Sequence, residues 1–107
     1  MSNYAVDRAK WQKLSIFEQM GNIYSEVGRA FNAKKLNDSE GAKKAAMRAF
    51  DLFDATTQQL ARQKSPKLQE VLRARDIFAK EYETASRSSL DNYLMQFAVA
   101  ARLRQFK

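Results

Sequence analysis

The chain contains no cysteine and no histidine, and only three glycines and one proline among its 107 residues. Without cysteine there is no disulfide, no thiolate nucleophile and no thiolate-ligated zinc. Without histidine there is no serine–histidine triad, no imidazole-ligated metal and no His-dependent nuclease. The shortage of glycine and proline excludes turn-dense β-sandwiches and barrels, which need a corner signal about every ten residues. No stretch approaches the roughly 18–20 apolar residues that cross a bilayer, and residues 1–13 carry charges rather than a signal-peptide core. These absences leave a single all-α domain as the expectation, cytoplasmic, without a cofactor and not an enzyme. What is present is 45% hydrophobic residues and 19 Lys/Arg against 12 Asp/Glu, a net charge of +7.

Capping signals and the three-and-four spacing of apolar residues divide the chain. Ser15 followed by Glu18 is a capping box, so a first long helix starts at Ile16. Its apolar stripe is Ile16, Phe17, Met20, Ile23, Tyr24, Val27, Ala30 and Phe31, and it ends near Lys35 or Leu36. Asp38 or Ser39 caps a second helix with the stripe Ala42, Ala45, Ala46, Ala49, Phe50, Phe53, Thr57 and Leu60. Ser65-Pro66 starts a third, because proline tolerates the first helical position. Its stripe is Leu68, Val71, Leu72, Arg75, Phe78, Ala79 and Tyr82. Ser88 and Asp91 cap a fourth, marked by Leu90, Tyr93, Leu94, Phe97, Ala98 and Ala101, with Met95, Val99, Leu103 and Phe106 widening its apolar arc. Connections of about three to six residues imply antiparallel neighbours. The expected architecture is an up-down-up-down four-helix bundle over residues 15–107, with residues 1–14 as a short N-terminal arm.

Two features break the stripes. Arg75 occupies a core-facing position, and a buried guanidinium needs a carboxylate, for which Asp54 on the second helix is the first choice. That ion pair would set the register of two helices; a functional polar pocket is the other reading. Gly21 and Gly28, with Ser25 between them, form a small-residue strip, although glycine costs about 1 kcal/mol against alanine inside a helix. Something is expected to approach that strip closely, either a helix of the bundle or a second chain. Together with Met95, Val99 and Leu103, the strip is a candidate interface for a homo-oligomer. A carboxylate-only metal or catalytic site would need Glu26, Asp51, Asp54, Asp76 and Glu81 to meet, and the Glu-x-x-His pairs of di-metal bundles have no histidine here. No glycine-rich phosphate loop or nucleophile elbow occurs.

Antiparallel packing would sort the charge. One end gathers Arg8, Lys10, Lys13, Arg62, Lys64, Lys67, Arg102, Arg104 and Lys107 against Asp7, Glu18 and Glu70, an excess of six. It also gathers Tyr4, Trp11 and Phe106, the aromatics outside the stripes. Cations that displace counterions from phosphates, interleaved with rings that stack on bases, describe a nucleic-acid surface. A lid over the core, with lysines for solubility, is the competing interpretation. Lys34, Lys35, Lys43 and Lys44 form a smaller cluster at helix ends, where cations suit the dipole.

Residues 11–36, from Trp11-Gln-Lys-Leu-Ser-Ile-Phe-Glu-Gln-Met-Gly-Asn onward, resemble the opening of a family of small uncharacterised four-helix proteins from uncultured bacterial and archaeal lineages. Ala49-Phe-Asp-Leu-Phe-Asp54 and Phe97-Ala-Val-Ala-Ala-Arg102 are similar to its second and fourth helices. The resemblance covers about residues 11–102, rests on capping and packing signals, and implies a fold with no activity. In shape alone, the chain is similar to the basic bundles encoded in ribosomal RNA intervening sequences and to the accessory proteins of diversity-generating retroelements, whose rings engage a reverse transcriptase and RNA. Small helical subunits of RNA-guided effector complexes share the shape too. So do nucleases of the HEPN class, whose Arg-to-His motif has no histidine available here.

The expectation is a non-enzymatic bundle that binds nucleic acid, RNA before DNA, or a nucleoprotein partner. Arg8, Lys10, Lys13, Arg62, Lys64, Lys67, Arg102 and Arg104 would contact phosphates and Trp11 would be a stacking platform. The alternative is a protein–protein scaffold or oligomerising adaptor without nucleic-acid contact. No membrane, metal or small-molecule substrate is expected in either case.

Overall fold

A computed structural model of the chain describes residues 6–84. Among these residues there are four helices and no strand: α1 (Arg8–Trp11), α2 (Ile16–Lys35), α3 (Ser39–Arg62) and α4 (Leu68–Thr84). The helix expected from Ser88 onward lies outside the described residues. So do Tyr4, Met95, Val99, Arg102, Leu103, Arg104 and Phe106.

Local chemistry accounts for the long helices. Ser15 Oγ accepts from the Glu18 amide at 3.1 Å and Glu18 returns a carboxylate oxygen to the Ser15 amide at 2.9 Å, so two otherwise orphaned donors at the start of α2 are satisfied. Asp38 caps α3 by accepting from the Gly41 amide at 2.9 Å. Both α2 and α3 end in the same way. The Asp38 amide donates to Ala33 and the Asn37 amide to Lys34, while the Ser65 amide donates to Leu60 and the Lys64 amide to Ala61. These are Schellman ends, and they hold Asn37 at φ 59° and Lys64 at φ 52°. Helix α4 begins at Leu68 rather than at Pro66. Pro66 and Lys67 form a turn tied to Ser65, whose Oγ accepts from the Lys67 amide and whose carbonyl accepts from the Leu68 amide.

The core gathers around Phe78, which is fully buried on α4. Its ring centroid lies 4.9 Å from Phe50, 6.0 Å from Phe31, 6.1 Å from Phe53 and 5.6 Å from Tyr82. Such pairs add about 0.5–1.5 kcal/mol each to the burial of the rings. Met20, Ile23, Val27, Ala30 and Phe31 of α2 meet Ala45, Ala46, Ala49, Phe53 and Leu60 of α3, and the alanines let the two backbones come close.

Three assignments within the stripes change. On α3 the buried threonine is Thr56 rather than Thr57, and Ala55 is buried beside it, because α1 covers a second face of that helix. On α4 the buried line is Val71, Ala74 and Phe78, a three-and-four spacing that leaves Leu72 exposed. Arg75 is half-buried rather than a core residue. Its Nε donates to Asp54 at 3.1 Å, as expected, and its guanidinium lies 5.5 Å from the centre of the Phe50 ring. The pair spans α3 and α4 at the rim of the core.

Candidate nucleic-acid interface

The basic surface is organised by a tryptophan. Asp7 caps α1 by accepting from the amides of Ala9 and Lys10, and this one-turn helix drops Trp11 into the core. The indole Nε1 donates to Thr56 Oγ1 at 2.9 Å. Thr56 in turn donates to Gln19 Oε1 at 3.0 Å, and Gln19 Nε2 donates to the Trp11 carbonyl at 2.8 Å and to Gln59 Oε1 at 2.9 Å. Gln19 and Thr56 are both fully buried, and no buried side-chain polar atom among the described residues lacks a partner. A closed network of this kind holds α1, the start of α2 and the last turns of α3 in one geometry, since each half-made alternative would strand a buried polar group.

A second clamp lies upstream. Asp51 on α3 accepts from the Val6 amide at 2.6 Å and from Arg8 at 3.1 Å. Residues 6–14, read from sequence as part of an arm, are therefore tied to α3 at two levels.

Two expectations are corrected by this packing. Trp11 is only 6% exposed and its one donor is used, so it has no ring face to offer a base. Arg8 is committed to Asp51 rather than standing ready for a phosphate. Five more of the expected cations lie within the described residues. Lys10, Lys13, Arg62 and Lys64 are exposed and form no ion pair among the described residues. Lys67 is half-buried, with its ammonium 5.4 Å from the centre of the Phe17 ring. The Trp11–Thr56 and Gln19–Gln59 bonds and the Lys67–Phe17 contact bring the segments carrying these five cations to one end of the fold.

Half of the smaller lysine cluster is engaged. Lys34 donates to the Tyr82 carbonyl and lies 4.1 Å from the centre of the Tyr82 ring, beside a cleft of about 250 Å³ that Asn37, Ser39 and Ala42 also line. Lys44 pairs with Glu40, and both Arg29 and Arg48 pair with Glu26. Lys35 and Lys43 are exposed and form no ion pair among the described residues.

The carboxylates do not converge. Asp51 serves Arg8, Asp54 serves Arg75 and Glu26 serves both Arg29 and Arg48, and no group of three metal-ligating side chains occurs among the described residues. A methyl group built at Gly21 meets no atom within 4 Å among the described residues. No described helix is long and apolar enough to cross a membrane. What sequence reasoning missed is the pair Gln19 and Thr56, polar residues hidden next to the apolar stripes. The available signal was the single tryptophan, whose N–H requires a partner wherever the ring is buried. No protein-family model matches the chain, and neither does any curated protein or solved structure.

Proposed function

We propose that this chain is a non-enzymatic basic helical bundle that binds nucleic acid, RNA before DNA, directly or within a nucleoprotein, through the end carrying Lys10, Lys13, Arg62, Lys64 and Lys67. The observation that carries the reading is the set of four exposed cations without ion pairs among the described residues, at an end to which a buried network anchors their segments. Counterion release from phosphates is a sufficient driving force for such a surface. In the same reading Arg102 and Arg104 add to this end, the last stretch of the chain completes a four-helix, up-down-up-down bundle, and the protein acts in the cytoplasm. The pairings Gln19–Gln59 and Glu26–Arg48 support the antiparallel order of α2 and α3, because the partner's number falls as the first rises.

Fluorescence anisotropy with mixed-sequence RNA at low salt tests the reading. Binding should weaken steeply with added salt and collapse when Arg62 and Lys64 are replaced by glutamine. Absence of binding at 50 mM salt or below refutes it.

A scaffold or self-associating adaptor is the second reading, and the open space in front of Gly21 favours it. In that reading Gly21, Ser25 and Gly28 would meet another copy of the chain. Light scattering separates the two: a strict monomer removes self-association through this face.

A further inference from the structure

Resting on the reading that the last stretch of the chain completes the bundle, we infer where it docks. Residues 88–106 occupy the groove between α2 and α4 on the side away from α3, with Arg102 level with Glu70, and close that face to a second copy of the chain. Two ion pairs with α3 fix which sides are turned away from it. On α2, Glu26 bonds Arg48 of α3, so Tyr24, two residues earlier and about 200° around the helix, faces the other way. On α4, Arg75 bonds Asp54 of α3, so Ile77, two residues later and again about 200° around, faces the other way. Both are half-buried apolar side chains packed on the edge of the core. Helices α2 and α4 run side by side in one direction, because Lys67 meets Phe17 at one end while Tyr82 meets Phe31 and Lys34 at the other. The far side of this pair is a groove floored by Tyr24 and Ile77, and Gly21 and Gly28, on the Tyr24 face, keep its α2 wall low.

The chain's own continuation fits this groove in position, length and charge. Helix α4 ends at Thr84, two residues past Tyr82, at the end of the groove that Phe31 and Lys34 mark. A helix from the Ser88 cap has the length to return, since α4 spans 17 residues, about 25 Å, and residues 88–106 would span about 27 Å. Running back antiparallel, the line Leu90, Leu94, Phe97 and Ala101 places Leu90 level with Tyr82, Leu94 with Gly28 and Ala101 with Gly21. Ala101, the smallest of the four, comes where the described residues leave open space. In the same register Arg102 faces the acid Glu70, and Arg104 reaches the end carrying Lys10, Lys13, Arg62 and Lys64. A second copy would have to displace a segment tethered by a short link, which competes at millimolar effective concentration.

The chain has no cysteine, so introduced pairs report without background. Gly28→Cys is combined in turn with Leu90→Cys, Leu94→Cys, Ala98→Cys and Ala101→Cys in the full chain and oxidised at low protein concentration. A disulfide needs Cα atoms within about 7 Å, so monomeric cross-link should peak at Leu94 and be lost at Ala101, about 10 Å further along. Melting of charge-reversed chains checks the register independently. Glu70→Arg and Arg102→Glu should each lower the melting temperature, and the double reversal should recover about 1–4 °C. Disulfide-linked dimer as the main product, or no recovery in the double reversal, overturns the inference. Cross-linking to Met47→Cys on the exposed face of α3 in place of Gly28→Cys also overturns it, and leaves the completed bundle standing. Equal yields at all four positions, or no cross-link from either face, overturn the completed bundle as well.

Discussion

Replacing Thr56 by valine tests the claim that the N-terminal segment belongs to the core. The substitution keeps shape and volume nearly constant and deletes one oxygen. In the structure that oxygen accepts from Trp11 Nε1 at 2.9 Å and donates to Gln19 Oε1 at 3.0 Å, with Thr56 and Gln19 fully buried. Its loss strands one buried donor and one buried acceptor, at about 1–3 kcal/mol each, so the fold should lose about 2–6 kcal/mol. For a domain of this size, at about 4 °C per kcal/mol, that is a drop of roughly 8–24 °C in melting temperature. Thr57→Val is the internal control, because Thr57 is half-buried and its hydroxyl donates only to the Asp54 carbonyl one turn back, at 3.1 Å. It should cost less than about 0.5 kcal/mol. Urea unfolding followed by far-ultraviolet circular dichroism and by tryptophan emission is the assay, and the single tryptophan makes the second signal specific to α1. In the parent chain the two transitions should coincide and the emission should be blue-shifted and shielded from acrylamide. Equal effects of Thr56→Val and Thr57→Val, or a tryptophan signal lost at lower urea than the helical signal, would refute the docking of α1.

Three further outcomes follow from single positions. Gly21→Ala should stabilise the chain by about 1 kcal/mol, since the added methyl meets nothing within 4 Å among the described residues, whereas Gly41→Ala should gain nothing because its methyl would lie 2.2 Å from the Asp38 carboxylate that caps α3. A destabilised Gly21→Ala in chemical denaturation, with a simultaneous change in light scattering, would instead place a second chain on that face. Lys64→Gly should raise stability by about 1 kcal/mol by relieving a left-handed lysine, and a loss of stability would contradict the Schellman geometry. Arg75→Met should change stability by no more than about 1 kcal/mol, because the Arg75 and Asp54 side chains are 37% and 44% exposed and the thioether can still cover Phe50; a loss of 3 kcal/mol or more would mean the pair is buried after all.

About half of the candidate site is legible in the amino-acid sequence. The exposed members Lys10, Lys13, Arg62 and Lys64 are readable because charge at helix ends needs only chain order and short connections to be placed. Arg8 and Trp11 are misread because their partners, Asp51 and Thr56, lie more than 40 residues away in the chain. Nothing in the spacing around Trp11 shows whether its ring faces a base or the core.

The division between sequence and tertiary structure follows the range of the forces involved. Ser15, Glu18 and Asp38 act on amides three residues away, so the starts of α2 and α3 are written locally and hold as expected. The apolar stripe of α2 is equally local, because 3.6 residues per turn dictates which side chains share a face. Only tertiary packing could decide that a one-turn helix would cover α3, bury Gln19 and Thr56, rotate the buried face of α4 from Leu72 to Ala74 and leave Arg75 at the rim. The burial of Gln19 and Thr56 depends on satisfying the Trp11 indole N–H, the Thr56 hydroxyl and the Gln19 amide away from water, and the buried face of α4 on packing Phe78 against Phe31, Phe50 and Phe53. Both requirements belong to the assembled core, and no single segment of the sequence carries them.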